Sequence, residues 1–267
     1  MQRSIIKIVL IGTGGVATNL GKLFARQSMA IEQILGRSQT STRKLAESLN
    51  CSYTLDPSQL SKAADLYIIA VQDREIAGLL SKLHIPETAL IVHTAGGVSM
   101  DVFTGLFKCY GVLYPLQSLR KETTTIPEIP FYLDGNNAVS KSLLENIAIQ
   151  AGLDYRWAND RQRMQLHVAA VLCSNYPNYL FALTERFCQL EGLDFNSLLP
   201  VITETSNRLA REGISPASLQ TGPAVRQDLV TVNKHLQLLK EDSEIRDVYQ
   251  YLAEKITGSG LFKDQMG

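Results

Sequence analysis

Residues 7–24 read KIVLIGTGGVATNLGKLF, three signals in a row that together leave few folds open. Ile8-Val9-Leu10-Ile11 is a continuous apolar, β-branched run, as expected of a strand covered on both faces in a parallel sheet. It leads into Gly12-Thr13-Gly14-Gly15-Val16-Ala17, a G-x-G-x-x-A turn. Val16, Leu20, Leu23 and Phe24 then recur at i, i+4, i+7 and i+8, one stripe of an amphipathic helix. In that setting Gly12 permits the tight turn and Gly14 lets backbone approach a pyrophosphate, while small Ala17 lets helix pack on strand. The diphosphate is expected against the N–H groups of Thr13 to Ala17, at the positive end of the helix. A glycine-rich turn with no ligand is the plainer alternative, and the flanking strand and helix argue against it.

The second strand is expected over residues 31–35 and ends in Gly36-Arg37-Ser38. Folds that bind NAD usually place an acid here to accept from the ribose 2′-hydroxyl. This chain places Arg37, 23 residues after Gly14, with hydroxyls at Ser38, Thr40 and Ser41. A guanidinium pairs with a 2′-phosphate, and charge-assisted bonds of that kind contribute ~1.5–3 kcal/mol, roughly a 10- to 150-fold preference for NADP over NAD. A solvated surface arginine is the competing reading; NADP is the cofactor expected.

The alternation continues with a helix over residues 42–49, a short strand over 52–55 and a helix start at Asp56-Pro57. Three further strands run over residues 66–71, 89–93 and 111–114, the last closed by Pro115. Their carboxyl ends carry Gln72/Asp73, His93/Thr94 and Tyr114/Gln117, at the edge where open α/β sheets bind ligands. Val71, Gln72, Asp73 and Thr94 are accordingly assigned to the cofactor. Thr123 to Pro130 is an irregular connection, followed by strands over 131–133 and 155–157 around a helix, 138–151, that Gly152 stops.

Alternation of strand and helix ceases near residues 158–160. The expected fold is therefore α/β, a doubly wound parallel sheet over 1–158 followed by an all-α domain over 159–267. Residues 162–189 read as one long helix kinked by Pro177, which cannot donate to the Cys173 carbonyl. At about 100° per residue, Ser174 and Asn178 fall within about 20° of His167, and Asn175 about 80° away. Histidine can deliver a proton near neutral pH, and an amide can orient a substrate. A satisfied structural histidine is the alternative. Later helices are expected over 196–212, 231–240 and 244–257. Before the second of them, Thr221-Gly222-Pro223-Ala224-Val225-Arg226-Gln227-Asp228 offers Arg226 as a carboxylate clamp, with Asp228 beside it. An Arg226–Asp228 link or a helix cap is the competing account.

Charge and cysteine usage narrow the setting. Lysine plus arginine equals aspartate plus glutamate, 26 each, so no net field recruits nucleic acid or an anionic membrane. Arg3 and the apolar run after it are interrupted by Lys7 and read as the first strand rather than a signal peptide. No apolar stretch approaches membrane-spanning length. Cys51, Cys109, Cys173 and Cys188 form no C-x-x-C pair or metal cluster, so reduced, mostly buried thiols in a cytoplasmic protein are expected.

Taken together, the glycine turn, Gly36-Arg37-Ser38, Ala70-Val71-Gln72-Asp73, His93-Thr94-Ala95-Gly96, Tyr114-Pro115-Leu116-Gln117, His167-Val168-Ala169-Ala170 with Ser174-Asn175, and Thr221-Gly222-Pro223 with Arg226-Gln227-Asp228 resemble one family. It is the Rossmann-like family of NADP oxidoreductases with a helical C-terminal domain, related to ketopantoate reductase, pyrroline carboxylate reductase, the β-hydroxyacid dehydrogenases and the deazaflavin-dependent NADP oxidoreductases. The resemblance implies a small-molecule substrate bound between two domains and a homodimer formed through the helices. Relatives place a lysine and an asparagine on the first long helix, where His167 and Asn175 stand here. The pattern departs at Tyr114, Ala95 and Gln227, where the family has histidine, serine and glycine. The expectation is an NADPH-dependent reductase of a small polar carbonyl or imine, with His167, Ser174 and Asn175 as catalytic residues. Arg226, Asp228 and Asn178 would bind substrate. A non-catalytic NADP(H) sensor that retains the fold is the alternative. A methyltransferase is disfavoured by the basic Arg37.

Overall fold

The computed structural model describes residues 5–122, 125–211 and 215–258. Arg3 and Thr123, named above, lie outside them, as does residue 212, where a helix is expected to end. The first part of the chain runs β1 (Lys7–Ile11), α1 (Gly15–Arg26), β2 (Ala30–Leu35), α2 (Gln39–Leu49), β3 (Ser52–Thr54), β4 (Leu66–Ile69) and α3 (Asp73–Leu80). It continues through β5 (Leu90–His93), β6 (Tyr110–Pro115), β7 (Pro130–Gly135), α4 (Ala138–Gln150) and β8 (Asp154–Trp157). All eight strands form one sheet in the order β3-β2-β1-β4-β5-β6-β7-β8. The first six follow the doubly wound order, so the strand order reverses between β1 and β4 and a crevice opens at their carboxyl ends.

Successive residues of a strand face opposite sides of a sheet, and here both sides are covered. Ile8 and Leu10 pack with Leu20 and Phe24 of α1 on one face, while Val9 and Ile11 pack with Ile76 and Phe103 on the other. This is why β1 lacks the alternation of a half-exposed strand.

Three local expectations are corrected. The sheet is not wholly parallel, because β7 runs antiparallel to β6. The helix expected from residue 42 begins a turn earlier, at Gln39, capped by the Ser38 side chain accepting from the Ser41 N–H. Asp73, read as the polar end of a strand, is the first residue of α3.

The chain divides into two compact units, 1–175 and 176–267. The sequence places the change at 158, where the strands end. However, α5 (Asp160–Ala170) is fastened to the sheet unit by its own first turn. Arg163 Nη2 donates to the Val98 carbonyl at 2.5 Å, and Asp160 accepts from the Met100 N–H at 3.0 Å. A π-helical turn, Val171–Asn175, follows α5 just before Pro177. The second unit consists of α6 (Tyr176–Glu191), α7 (Leu199–Leu209), α8 (Leu229–Leu238) and α9 (Ser243–Gly258), around a small core of Leu183, Leu239 and Ile245. Arg186 of α6 holds Asp242 at 2.9 Å and Glu244 at 2.8 Å. No described helix is long and apolar enough to cross a membrane. Contrary to the expectation of mostly buried thiols, Cys173 is exposed and only Cys188 is fully buried among the four. Burial pushes the Cys51 thiol up to about 11.

Candidate functional site

At the crevice, Gly12 has φ 124°, and a Cβ placed there would lie 2.2 Å from the Ala70 carbonyl oxygen. Only glycine lets the β1–α1 turn cross the end of β4 this closely. The turn forms one wall of a cleft of about 370 Å³ that brings together Gly12, Thr13 and Gly14 with Gly36, Arg37, Ser38, Val71 and Gln72. Eight of the residues assigned to the cofactor thus meet in one place. No side chain caps α1, and no atom lies within 4 Å of where a Gly14 side chain would begin. The helix N-terminus and an open approach at Gly14 fit a diphosphate. Arg37, 77 % exposed at its side chain, supplies the cation, and Ser38 stands beside it at the start of α2.

Other assigned residues lie elsewhere. Ala17 is fully buried in the core, and Val16 packs against it. Gly15 lies under the β6–β7 connection, which the Asn19 amide pins by donating to the Arg120 carbonyl at 2.9 Å. Thr94 is buried, and its hydroxyl donates to the Ile69 carbonyl at 3.2 Å. The Asp73 carboxylate faces Gly97. The same cleft contains two charged residues not assigned from the sequence, Lys121 and Glu75. Glu75 Oε2 accepts from Arg37 Nη1 at 2.6 Å. Lys121 was legible only as a charge just ahead of an irregular connection; the Asn19 bond to the neighbouring carbonyl is a long-range feature that spacing does not show.

A second polar group lies within the sheet unit where α5 passes the ends of β5 and β6. His167 Nδ1 and the Tyr114 hydroxyl are 3.1 Å apart, with the rings edge to face. A Cβ at Gly96 would lie 2.9 Å from both rings, so the loop after β5 must be bare there for the pair to form. Burial pushes the Tyr114 phenol up, and it remains a donor. Tyr114 engages Nδ1, which leaves Nε2 as the second polar atom of the ring. One helical turn earlier, Arg163 is 1 % exposed and pairs with Asp160 Oδ1 at 2.7 Å. Burial pushes the Asp160 carboxyl up, but hydrogen bonds from Ser99 and Arg163 outweigh it and leave it below the usual carboxylate range. The i, i+4 spacing of Arg163 and His167 was readable in the sequence; the Val98 carbonyl that Arg163 seeks was not. His93 is fully buried and stacks on Phe103, so it does not reach the crevice. Its Nδ1 accepts from the Ala95 N–H at 3.2 Å, and burial pushes its pKa down to about 4.

Ser174 and Asn175 are exposed in the π-helical turn. On the helical unit, Asn178 belongs to α6 and Arg226 is exposed. Asp228 caps α8, accepting from the Thr231 N–H at 3.0 Å and the Thr231 hydroxyl at 2.7 Å. Those bonds and nearby Arg226 hold its carboxyl below the ordinary range. Gln227 has φ 55°, a left-handed conformation that glycine adopts readily, which accounts for the glycine in the family pattern. Among the described residues no group of three or more His, Cys, Asp or Glu could hold a metal ion.

Comparison with known proteins agrees with this architecture. The Rossmann-like domain family matches residues 1–116, and a domain of unknown function, DUF2520, matches residues 129–256. A crystal structure from Bacteroides fragilis, of a protein named as a candidate NADP oxidoreductase, is 33 % identical with a TM-score of 0.88. It covers 96 % of this chain and 99 % of that one. A Thermotoga maritima protein (22 % identity, TM-score 0.67, 97 % and 100 % covered) shares the fold. So does 1-pyrroline-5-carboxylate reductase from Streptococcus pyogenes (16 %, 0.60, 96 % and 99 %). No curated protein matches the chain. With a relative this similar over nearly its whole length, the chain belongs to the Rossmann-like family of NADP oxidoreductases that carry this helical C-terminal domain.

Proposed function

We propose that this protein is an NADPH-dependent reductase of a small polar carbonyl or imine compound, with His167 as its proton donor. The observation that carries the reading is the Tyr114–His167 pair, at the carboxyl ends of the same sheet whose first turn walls the glycine-lined cleft. Gly12, Thr13 and Gly14 would hold the diphosphate, and Arg37 and Ser38 the 2′-phosphate. Bound NADPH supplies a hydride to the substrate carbon. Protonated His167 would donate its Nε2 proton to the heteroatom and be left as the neutral ring, which the Tyr114 hydroxyl holds in place through Nδ1. Tyr114 therefore preserves an acid–base site where the family has histidine. Asn175 orients the substrate. Arg226 is the candidate ligand for a substrate carboxylate, whereas Asp228 is committed to its cap. A homodimer formed through residues 176–267 belongs to the same proposal.

The test is NADPH oxidation across a panel of keto acids, aldehydes and imines. With a substrate in hand, His167→Ala is expected to lower turnover ~10²-fold or more with NADPH affinity unchanged. Undiminished turnover removes His167 from the mechanism. Binding of NADPH without oxidation of any of the panel favours the sensor that retains the fold.

A further inference from the structure

Arg37 already has an anionic partner. Glu75 Oε2 accepts from its Nη1 at 2.6 Å, and both side chains line the cleft with Ser38 and Lys121. Glu75 stands in the first turn of α3, where the helix dipole favours a carboxylate, so its charge is at home there. Arg74 Nε, 3.9 Å from Glu75 Oε1, adds only a long contact. The cleft therefore offers two opposite chemistries at one place. A cation suits a 2′-phosphate, and an acid suits a free ribose 2′-hydroxyl.

We propose that Glu75 is a specificity-determining residue that restrains the preference of the cleft for the phosphorylated dinucleotide. A 2′-phosphate, carrying a charge of about −1.5 to −2, must share Arg37 with the carboxylate or displace it. It meets like-charge repulsion in either case. A dinucleotide lacking that phosphate leaves the Arg37–Glu75 pair intact and donates its ribose hydroxyl to Glu75. The pair is accessible, Arg37 at 77 % and Glu75 at 29 % side-chain exposure, so exchange between the two arrangements needs no repacking of the core. Lys121 supplies the second positive charge that keeps phosphate binding favourable despite Glu75.

The inference rests on the reading that Arg37 receives the 2′-phosphate, and the test separates the two. NADPH and NADH are titrated calorimetrically into the full chain and into Arg37→Ala and Glu75→Gln, with melting curves to check the fold. Arg37→Ala is expected to lower the NADPH-to-NADH affinity ratio roughly 10- to 150-fold. Glu75→Gln, which removes the charge and keeps the shape, is expected to raise it about 10-fold, mostly through tighter NADPH. A ratio lowered by Arg37→Ala but unmoved or lowered by Glu75→Gln overturns the role of Glu75 and leaves the cleft reading standing. A ratio unmoved by Arg37→Ala overturns both.

Discussion

A methyl group at Gly12 and one at Gly14 make opposite demands on the protein. At Gly12 it would lie 2.2 Å from the Ala70 carbonyl at φ 124°, so β1 and β4 could not both keep their places. At Gly14 it would meet nothing within 4 Å, at an ordinary φ of −78°. Gly12→Ala is therefore expected to destabilise by several kcal/mol, a mixture of strain and lost packing. Gly14→Ala should leave the melting temperature within a degree or two and weaken NADPH binding about 10-fold or more, by filling the approach to the helix N-terminus. Thermal melts with and without NADPH separate the two; a Gly14→Ala chain that binds normally moves the diphosphate elsewhere. His93 shows what a motif does not reveal. At the end of a strand it reads as a group facing ligand, yet its ring is fully buried and accepts from the Ala95 N–H. Because its folded pKa is lowered to about 4, below the ordinary 6.5, the unfolded chain takes up this proton first. Stability is thus full above about pH 6.5 and falls towards pH 4, by about 3 kcal/mol in all. The Asp160 carboxyl, held low, adds its own loss below the unfolded carboxylate value, at more acid pH. His93→Asn, which retains an acceptor without the titration, is expected to flatten the denaturation midpoint between pH 6.5 and 4. An unaltered slope would assign it to other groups.

At the scale of elements, β1, α1 and the alternation of strands and helices along the chain were legible because each rests on local patterning: apolar runs, the glycine turn and 3.6-residue periodicity. The antiparallel placement of β7 was not, since strand direction depends on pairing partners that no local signal names. Nor was α3, whose eight residues begin with the charged Asp73-Arg74-Glu75 and bury only Ile76 and Leu80. The most consequential miss is the π-helical turn. Pro177 has no N–H for the Cys173 carbonyl, and the chain answers with a wider turn at Val171–Asn175. Such a turn holds one residue more than an α-helical one, so positions beyond it adopt roughly the direction of their predecessor. Read on a regular helix, Ser174 shares the face of His167 and Asn175 does not. Ser174 and Asn175 are the last two residues of that wider turn, and its smaller rotation per residue is expected to bring Asn175 toward that face and Ser174 away from it. Asn175→Ala is accordingly expected to lower kcat/KM at least 10-fold, and Ser174→Ala less than threefold. The reverse order in steady-state kinetics would show that the regular-helix reading describes the working face better.

At the scale of the whole molecule, burial is unevenly shared. Within 1–175 both faces of an eight-stranded sheet are covered by large apolar clusters. Among the described residues of 176–267, the buried apolar side chains are Leu183, Cys188, Val225, Val232, Leu239 and Ile245. α7 buries none, and Leu190, Val201, Leu229 and Val230 are each more than half exposed. Covering such a side chain contributes about 1.5–3 kcal/mol, so several together exceed the cost of association. Where such side chains form one contiguous surface, that surface is an expected interface. A second copy is the partner that the proposal names, because closed twofold pairing satisfies the same face on both chains at once. Sedimentation velocity from about 1 to 50 µM should therefore show a dimer throughout, and dissociation should coincide with loss of helical signal. Val230→Asp, which charges an exposed position at the start of α8, is expected either to shift the species to monomer or to lower the melting temperature by several degrees if the position lies in that interface. A wild-type chain that sediments as a monomer at 50 µM would show that these helices persist with their apolar side chains in water, and the dimer would have to be abandoned.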